Sequence, residues 1–189
     1  MSVPLWPTVF VLPLGLCFYY FILAGARTFE INADDDLGSG VAQASFLSGT
    51  LGTLLLGYRA DVSPWNAIAG AALMSGALLL YEWARRTIMD RRFHIAWSGD
   101  VPEAVCEAGP YGYVRHPLYT SYILAFAAML ATVASPWTLA IFAINLGLFV
   151  HAARDDERSI AASALAAEYA PYRQRVGMFF PRLRRKAVG

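Results

Sequence analysis

The feature that most constrains this chain is where its charges are missing. Asp, Glu, Lys and Arg are absent from residues 1–26, 37–58, 62–81 and 116–153. The last run is too long for one helix, and Ser135-Pro136 at its middle is a turn signal that divides it into 118–134 and 137–153. At about 1.5 Å of rise per residue, each piece spans a hydrocarbon core of about 30 Å or nearly so. Five spanning helices are therefore expected in an all-α integral membrane protein. Composition agrees, because 57% hydrophobic residues, 15% charged ones and a mean hydropathy of +0.44 leave too little polar surface to cover a soluble domain. Two cysteines, Cys17 in an apolar run and Cys106 in a polar one, make no disulfide framework.

The first run ends in Ala24-Gly25-Ala26, which imitates a signal cleavage site. It exceeds the apolar region of about 7–15 residues in a secretory signal, and no Lys or Arg precedes it, so it is read as a span. Pro13 is expected to kink it. Small residues every fourth position in the second and third spans (Ser45, Gly49, Thr53, Gly57; Ala72, Gly76) predict close helix packing.

The basic residues are unevenly shared. With five spans, the loop 25–40, the stretch 85–117 and the tail after 153 lie on one side and hold 14 of the 15 Lys and Arg residues. That side is expected to be cytoplasmic. The net charge of +1 therefore conceals a polarised molecule, yet provides no overall field for nucleic acid. The chain reads as one membrane domain over 1–189. Its N-terminal part, 1–84, carries three spans; the catalytic part, 85–189, carries the hairpin 118–153 and a cytoplasmic tail, 154–189. The tail predicts a helix from about Asp155 to Tyr169, opened by Asp155-Asp156-Glu157 and ended or kinked at Pro171.

The densest motif is Gly109-Pro110-Tyr111-Gly112-Tyr113-Val114-Arg115-His116-Pro117-Leu118-Tyr119. Its glycines and prolines impose turns, and its tyrosines, arginine and histidine bring polar groups to the membrane surface. Together with the acidic pair Asp156-Glu157, Glu168-Tyr169 and Tyr172-Arg173-Gln174-Arg175-Val176, it resembles the isoprenylcysteine carboxyl methyltransferase and phospholipid methyltransferase family of membrane enzymes. The likeness runs from Gly109 to Pro181. It departs from the family in Asp156-Glu157 for a Glu-Glu pair, in the alanine-rich 164–167 for an aromatic-glycine turn, and in Gly177 for a proline.

The resemblance implies S-adenosylmethionine as methyl donor, held outside any dinucleotide-binding fold; Gly38-Ser39-Gly40 lacks the third glycine of that fingerprint. The cofactor's carboxylate needs a cationic or N–H donor, its ammonium a carboxylate and its adenine a flat apolar slot. Arg115 or His116, Glu157, and Tyr111 or Tyr113 meet these needs in turn. The expected cofactor-binding residues are Tyr111, Tyr113, Val114, Arg115, His116, Pro117, Tyr119 and Glu157. Arg115 and Arg175 are the expected catalytic pair, clamping an anionic acceptor bidentately.

The acceptor is expected to be lipophilic or lipidated and to enter from the membrane lipid. A prenylcysteine-like carboxylate is favoured over a phospholipid amine or a thiol. A reductase using NADPH, of the membrane sterol type, shares a Tyr-x-Arg-His-Pro-x-Tyr element and is the competing enzyme class. Among remaining polar residues, Glu82 is expected to pair with Arg86, Asn145 to bond between helices, His151 to sit at the interface and His94 in a loop. No Cys/His spacing fits a metal, so none is expected.

Overall fold

The computed structural model describes residues 62–89 and 104–182, with the isolated positions 16, 20, 47, 48, 51, 52 and 55. The expected spans 1–26 and 37–58, and His94, lie outside the continuous described stretches. The described residues are helical: α1 (Pro64–Met89), a 3-10 turn (Gly109–Gly112), α2 (Pro117–Thr132), α3 (Pro136–Ala161) and α4 (Ala166–Arg175). Among them the only β-type contact is an isolated parallel bridge between Val114 and Gly177.

α1 and α3, each of 26 residues, are long and apolar enough to cross a membrane. α2 is apolar but has 16 residues, or about 24 Å of helix, less than the sequence expectation of a full span. Its start is fixed by Pro117 at the first helical position, where a missing N–H costs nothing. α3 follows after the expected turn. Ser135 accepts from Thr138 N while Thr138 Oγ1 accepts from Ser135 N, a reciprocal cap that satisfies two N–H groups at the helix start.

α1 packs on α2 along Ala67, Gly70, Met74, Ala77, Tyr81, Ala84 and Ile88, a three-and-four spacing that keeps one stripe inward. The close contact is at Gly70, where a Cβ would fall 1.8 Å from Thr132 Oγ1 and 3.1 Å from the Ala128 carbonyl oxygen. Gly76, expected from the sequence to make such a contact, has no neighbour within 4 Å among the described residues. Helical phase is the reason, since Ala72 and Gly76 lie off the buried stripe. Gly70→Ala is expected to destabilise the protein by about 1–3 kcal/mol through overpacking, read as a lower thermal midpoint in detergent; Gly76→Ala is its neutral control.

The core below this contact is aromatic. Tyr119 and Tyr122 stack on Phe149 at 5.8 and 5.5 Å between ring centroids, and Phe126 lies 6.3 Å from it. Asn145, fully buried, donates from Nδ2 to the Ile141 carbonyl of its own helix at 2.8 Å, rather than across helices as expected. Glu82 pairs with Arg86 as expected, at 3.2 Å, but its shorter contact is to Arg85, at 2.9 Å.

The tail departs most from its expectation. α3 runs unbroken through Asp155-Asp156-Glu157, so these carboxylates sit well inside a helix rather than at the start of a new one. The break comes at 162–165, where the Ser163 hydroxyl donates to the Ile160 carbonyl and accepts from Leu165 N. Serine competing for backbone groups in this way ends a helix. α4 then contains Pro171 instead of ending before it. Extending α3 two turns beyond 153 is what carries the acidic pair out to the polar motif.

Candidate functional site

The motif's turn is set by two residues. Gly109 has φ +55°, and a Cβ there would meet Thr87 Oγ1 at 2.5 Å and Trp83 Nε1 at 3.1 Å. Pro110 then opens the 3-10 turn. Only glycine fits this left-handed, crowded position against the end of α1. The chain leaves the turn alongside the residues that follow α4: Arg115 N donates to the Gly177 carbonyl at 2.8 Å and His116 N to that of Met178 at 3.1 Å. These two bonds strap 177–178 onto 115–116 and close the site from the C-terminal side. A Cβ at Gly177 would lie 1.8 Å from the Phe180 carbonyl oxygen, so only glycine fits this point of the strap.

At the centre is Glu157, 3% exposed. Arg115 donates to its Oε1 from Nε at 2.8 Å and approaches it with a second nitrogen at 2.7 Å; His116 Nε2 lies 3.3 Å from the same oxygen. Arg173 Nε lies 3.2 Å from Oε2. Burial pushes the Glu157 carboxyl up, but the hydrogen bonds from His116 and Arg115 outweigh it and hold it down to about 2. The remaining nitrogen of Arg115 donates to the Arg173 carbonyl at 3.1 Å and to that of Val176. Every nitrogen of the Arg115 side chain is thus committed inside the protein, as a buried cation demands.

Asp156, one residue earlier, points to a different neighbour. Tyr119 donates its hydroxyl to Oδ2 at 3.1 Å, and among the described residues Oδ1 has no partner. Burial raises its carboxyl above the ordinary aspartate value, opposed by nearby His116 and the Tyr119 hydroxyl. Adjacent carboxylates are therefore driven in opposite directions. Above them His116 lies nearly parallel to Tyr119, with centroids 5.6 Å apart at 14°, and Phe179 sits 6.1 Å from His116.

The structure brings Arg115, His116, Pro117, Tyr119 and Glu157 together, and with them Asp156 and Arg173, which sequence reasoning did not assign. Val114 is buried beside them at the bridge to Gly177. Tyr111 is also buried. Its carbonyl accepts from the Tyr172 hydroxyl at 2.8 Å, and its own hydroxyl has no partner among the described residues. Tyr113 instead faces outward, 61% exposed, with its ring 6.1 Å from Trp83. Arg175 lies apart from Arg115: it pairs with Glu107 at 2.9 Å, and its side chain is 60% exposed. The signal that could have found Arg173 was helical spacing, because Tyr169, Tyr172 and Arg173 share a three-and-four periodicity. Among the described residues no three His, Cys, Asp or Glu side chains converge as a metal site.

α1 and α3 are long and apolar enough to cross a membrane, and a buried charged cluster lies just beyond the apolar part of α3, an arrangement that fits a helical membrane protein with a polar site at one end. Residues 90–162 match the Isoprenylcysteine carboxyl methyltransferase (ICMT) family, so the resemblance read from the motifs holds over that stretch. A curated relative, the Cobalt-zinc-cadmium resistance protein CzcN of Cupriavidus metallidurans, is 35% identical over 86 residues, which cover 46% of this chain and 39% of that protein. The chain thus matches well under half the length of this relative. No solved structure gives a significant match.

Proposed function

We propose that this protein is an S-adenosylmethionine-dependent membrane methyltransferase acting on a lipophilic acceptor. The observation that carries the reading is the constellation of His116, Tyr119, Asp156 and Glu157, assembled from two segments forty residues apart within a stretch that matches a methyltransferase family. S-adenosylmethionine supplies the methyl group as an electrophile. The residues present fit its polar end. Asp156 keeps one oxygen without a partner for an ammonium, and of the two groups the sequence offers a carboxylate, Arg115 is committed, leaving His116. For adenine, Tyr113 with Trp83 is the exposed aromatic pair. The Arg115–Glu157 pair is the buttress that holds His116 and the strap in place.

We read the whole chain as one five-span domain, with its site on the cytoplasmic face and the segment after 161 closing the pocket. Acceptors reach it laterally from the lipid. A carboxylate acceptor clamped by Arg115 and Arg175 requires those arginines to meet, and in this structure they do not; proximity and alignment in a dry site, worth up to about 7–11 kcal/mol, then do most of the work for any acceptor.

Calorimetry in mild detergent tests the reading. S-adenosylhomocysteine is expected to bind the purified protein, and NADPH is not. Binding of NADPH alone would replace this reading with a reductase, and binding of neither would end it.

A further inference from the structure

A second feature adjoins this cluster and shares Arg173 with it. The end of α3, α4 and Arg182 enclose a cavity of about 330 Å³ lined by Ala161, Ala166, Tyr169, Ala170, Arg173 and Arg182, together with Gln174. That volume is at the lower end of small-molecule sites. Its wall is mostly apolar, and of the charged residue types it includes two arginines and no carboxylate.

Each arginine side chain has one polar contact among the described residues. Arg173 spends Nε on Glu157 Oε2, and its terminal amino groups have no protein partner among the described residues. Arg182 donates one amino group to the Gln174 carbonyl, and its other donors have no partner among the described residues. Glu157 does not cancel this charge, since Arg115 already neutralises it at 2.7 Å. What remains is a pair of exposed arginines at an apolar hollow that includes three alanines and Tyr169. A planar fork with unpaired N–H groups matches the oxygens of a phosphate, and small apolar side chains accept the carbon atoms next to it.

We propose that this cavity is a binding site for a phosphate-class anion, held by Arg173 and Arg182, either as the headgroup of an anionic phospholipid or as a free phosphate. The tail's position at the end of a membrane-length helix puts both sources within reach. The site does not depend on the methyltransferase reading, and Arg173 links it to Glu157.

The test uses the full chain in zwitterionic detergent, titrated with inorganic phosphate at constant ionic strength so that screening does not imitate binding. Saturable binding is expected, weakened about tenfold in Arg182→Gln by loss of one charged fork. Arg173→Gln is expected to weaken it at least as much, but it also touches Glu157, so Arg182 carries the decision. The same proteins in phosphatidylcholine nanodiscs, with and without phosphatidylglycerol, separate the sources. A thermal shift with phosphatidylglycerol that requires Arg182 and blocks phosphate binding assigns the headgroup; phosphate binding undisturbed by the anionic lipid assigns the free ion. No response to either anion in the wild type, or equal responses in wild type and Arg182→Gln, overturns the proposal.

Discussion

Glu157→Ala is expected to cost about 3–5 kcal/mol of stability, the range for breaking a buried pair by removing one partner. The substitution leaves Arg115, 8% exposed, without the carboxylate that two of its nitrogens face, and it releases His116 and Arg173 as well. Thermal or denaturant unfolding in detergent reads the loss. Glu157→Gln retains an acceptor but no charge and should fall between wild type and Ala. A pH dependence follows from the same contacts. The folded carboxyl is held at about 2, below the ordinary 4.5, so its stabilisation is complete above about pH 4.5 and is lost as pH falls toward 2. Glu157→Gln should flatten that acid limb. An Ala variant as stable as the wild type would mean that Arg115 finds solvent and that the cluster is not the buttress described.

Asp156→Asn is expected to do the reverse: little change in stability, and S-adenosylhomocysteine binding weakened about ten- to hundredfold. Asparagine still offers the Tyr119 hydroxyl an acceptor, so the contact at 3.1 Å is kept. What disappears is the negative charge facing the ligand's ammonium, and a hydrogen bond to a charged group is worth about 1.5–3 kcal/mol. The contrast between neighbours is the informative result. If Asp156→Asn binds like the wild type while Glu157→Gln, still folded, does not, the ammonium belongs to Glu157 and the division of labour is inverted.

The legible parts of this protein were those set by local chemistry. Pro117 at the first position of α2 and the Ser135-Pro136 turn are visible because proline and serine act on their immediate backbone. The tail helix was misread because Asp155-Asp156-Glu157 looks the same at a helix start as inside a helix continued from the membrane; the deciding residue, Ser163, acts through a side-chain competition that leaves little trace in periodicity. Arg175 was read from the motif, and Arg173 was given no role. Two positions apart on α4 they face different partners, Glu107 at the surface and Glu157 in the interior.

The sequence by itself determined that the chain partitions into apolar runs and a basic, motif-bearing end, the pattern expected where transfer of charge into hydrocarbon is costly. It also carried the resemblance that residues 90–162 bear out, and it named Arg115, His116, Tyr119 and Glu157, which the structure brings together. Only the tertiary structure decided which of two adjacent carboxylates is spent and which is open. That choice is made by the hundred-degree turn between successive residues of α3, which aims Glu157 at Arg115 and Arg173 and Asp156 at Tyr119.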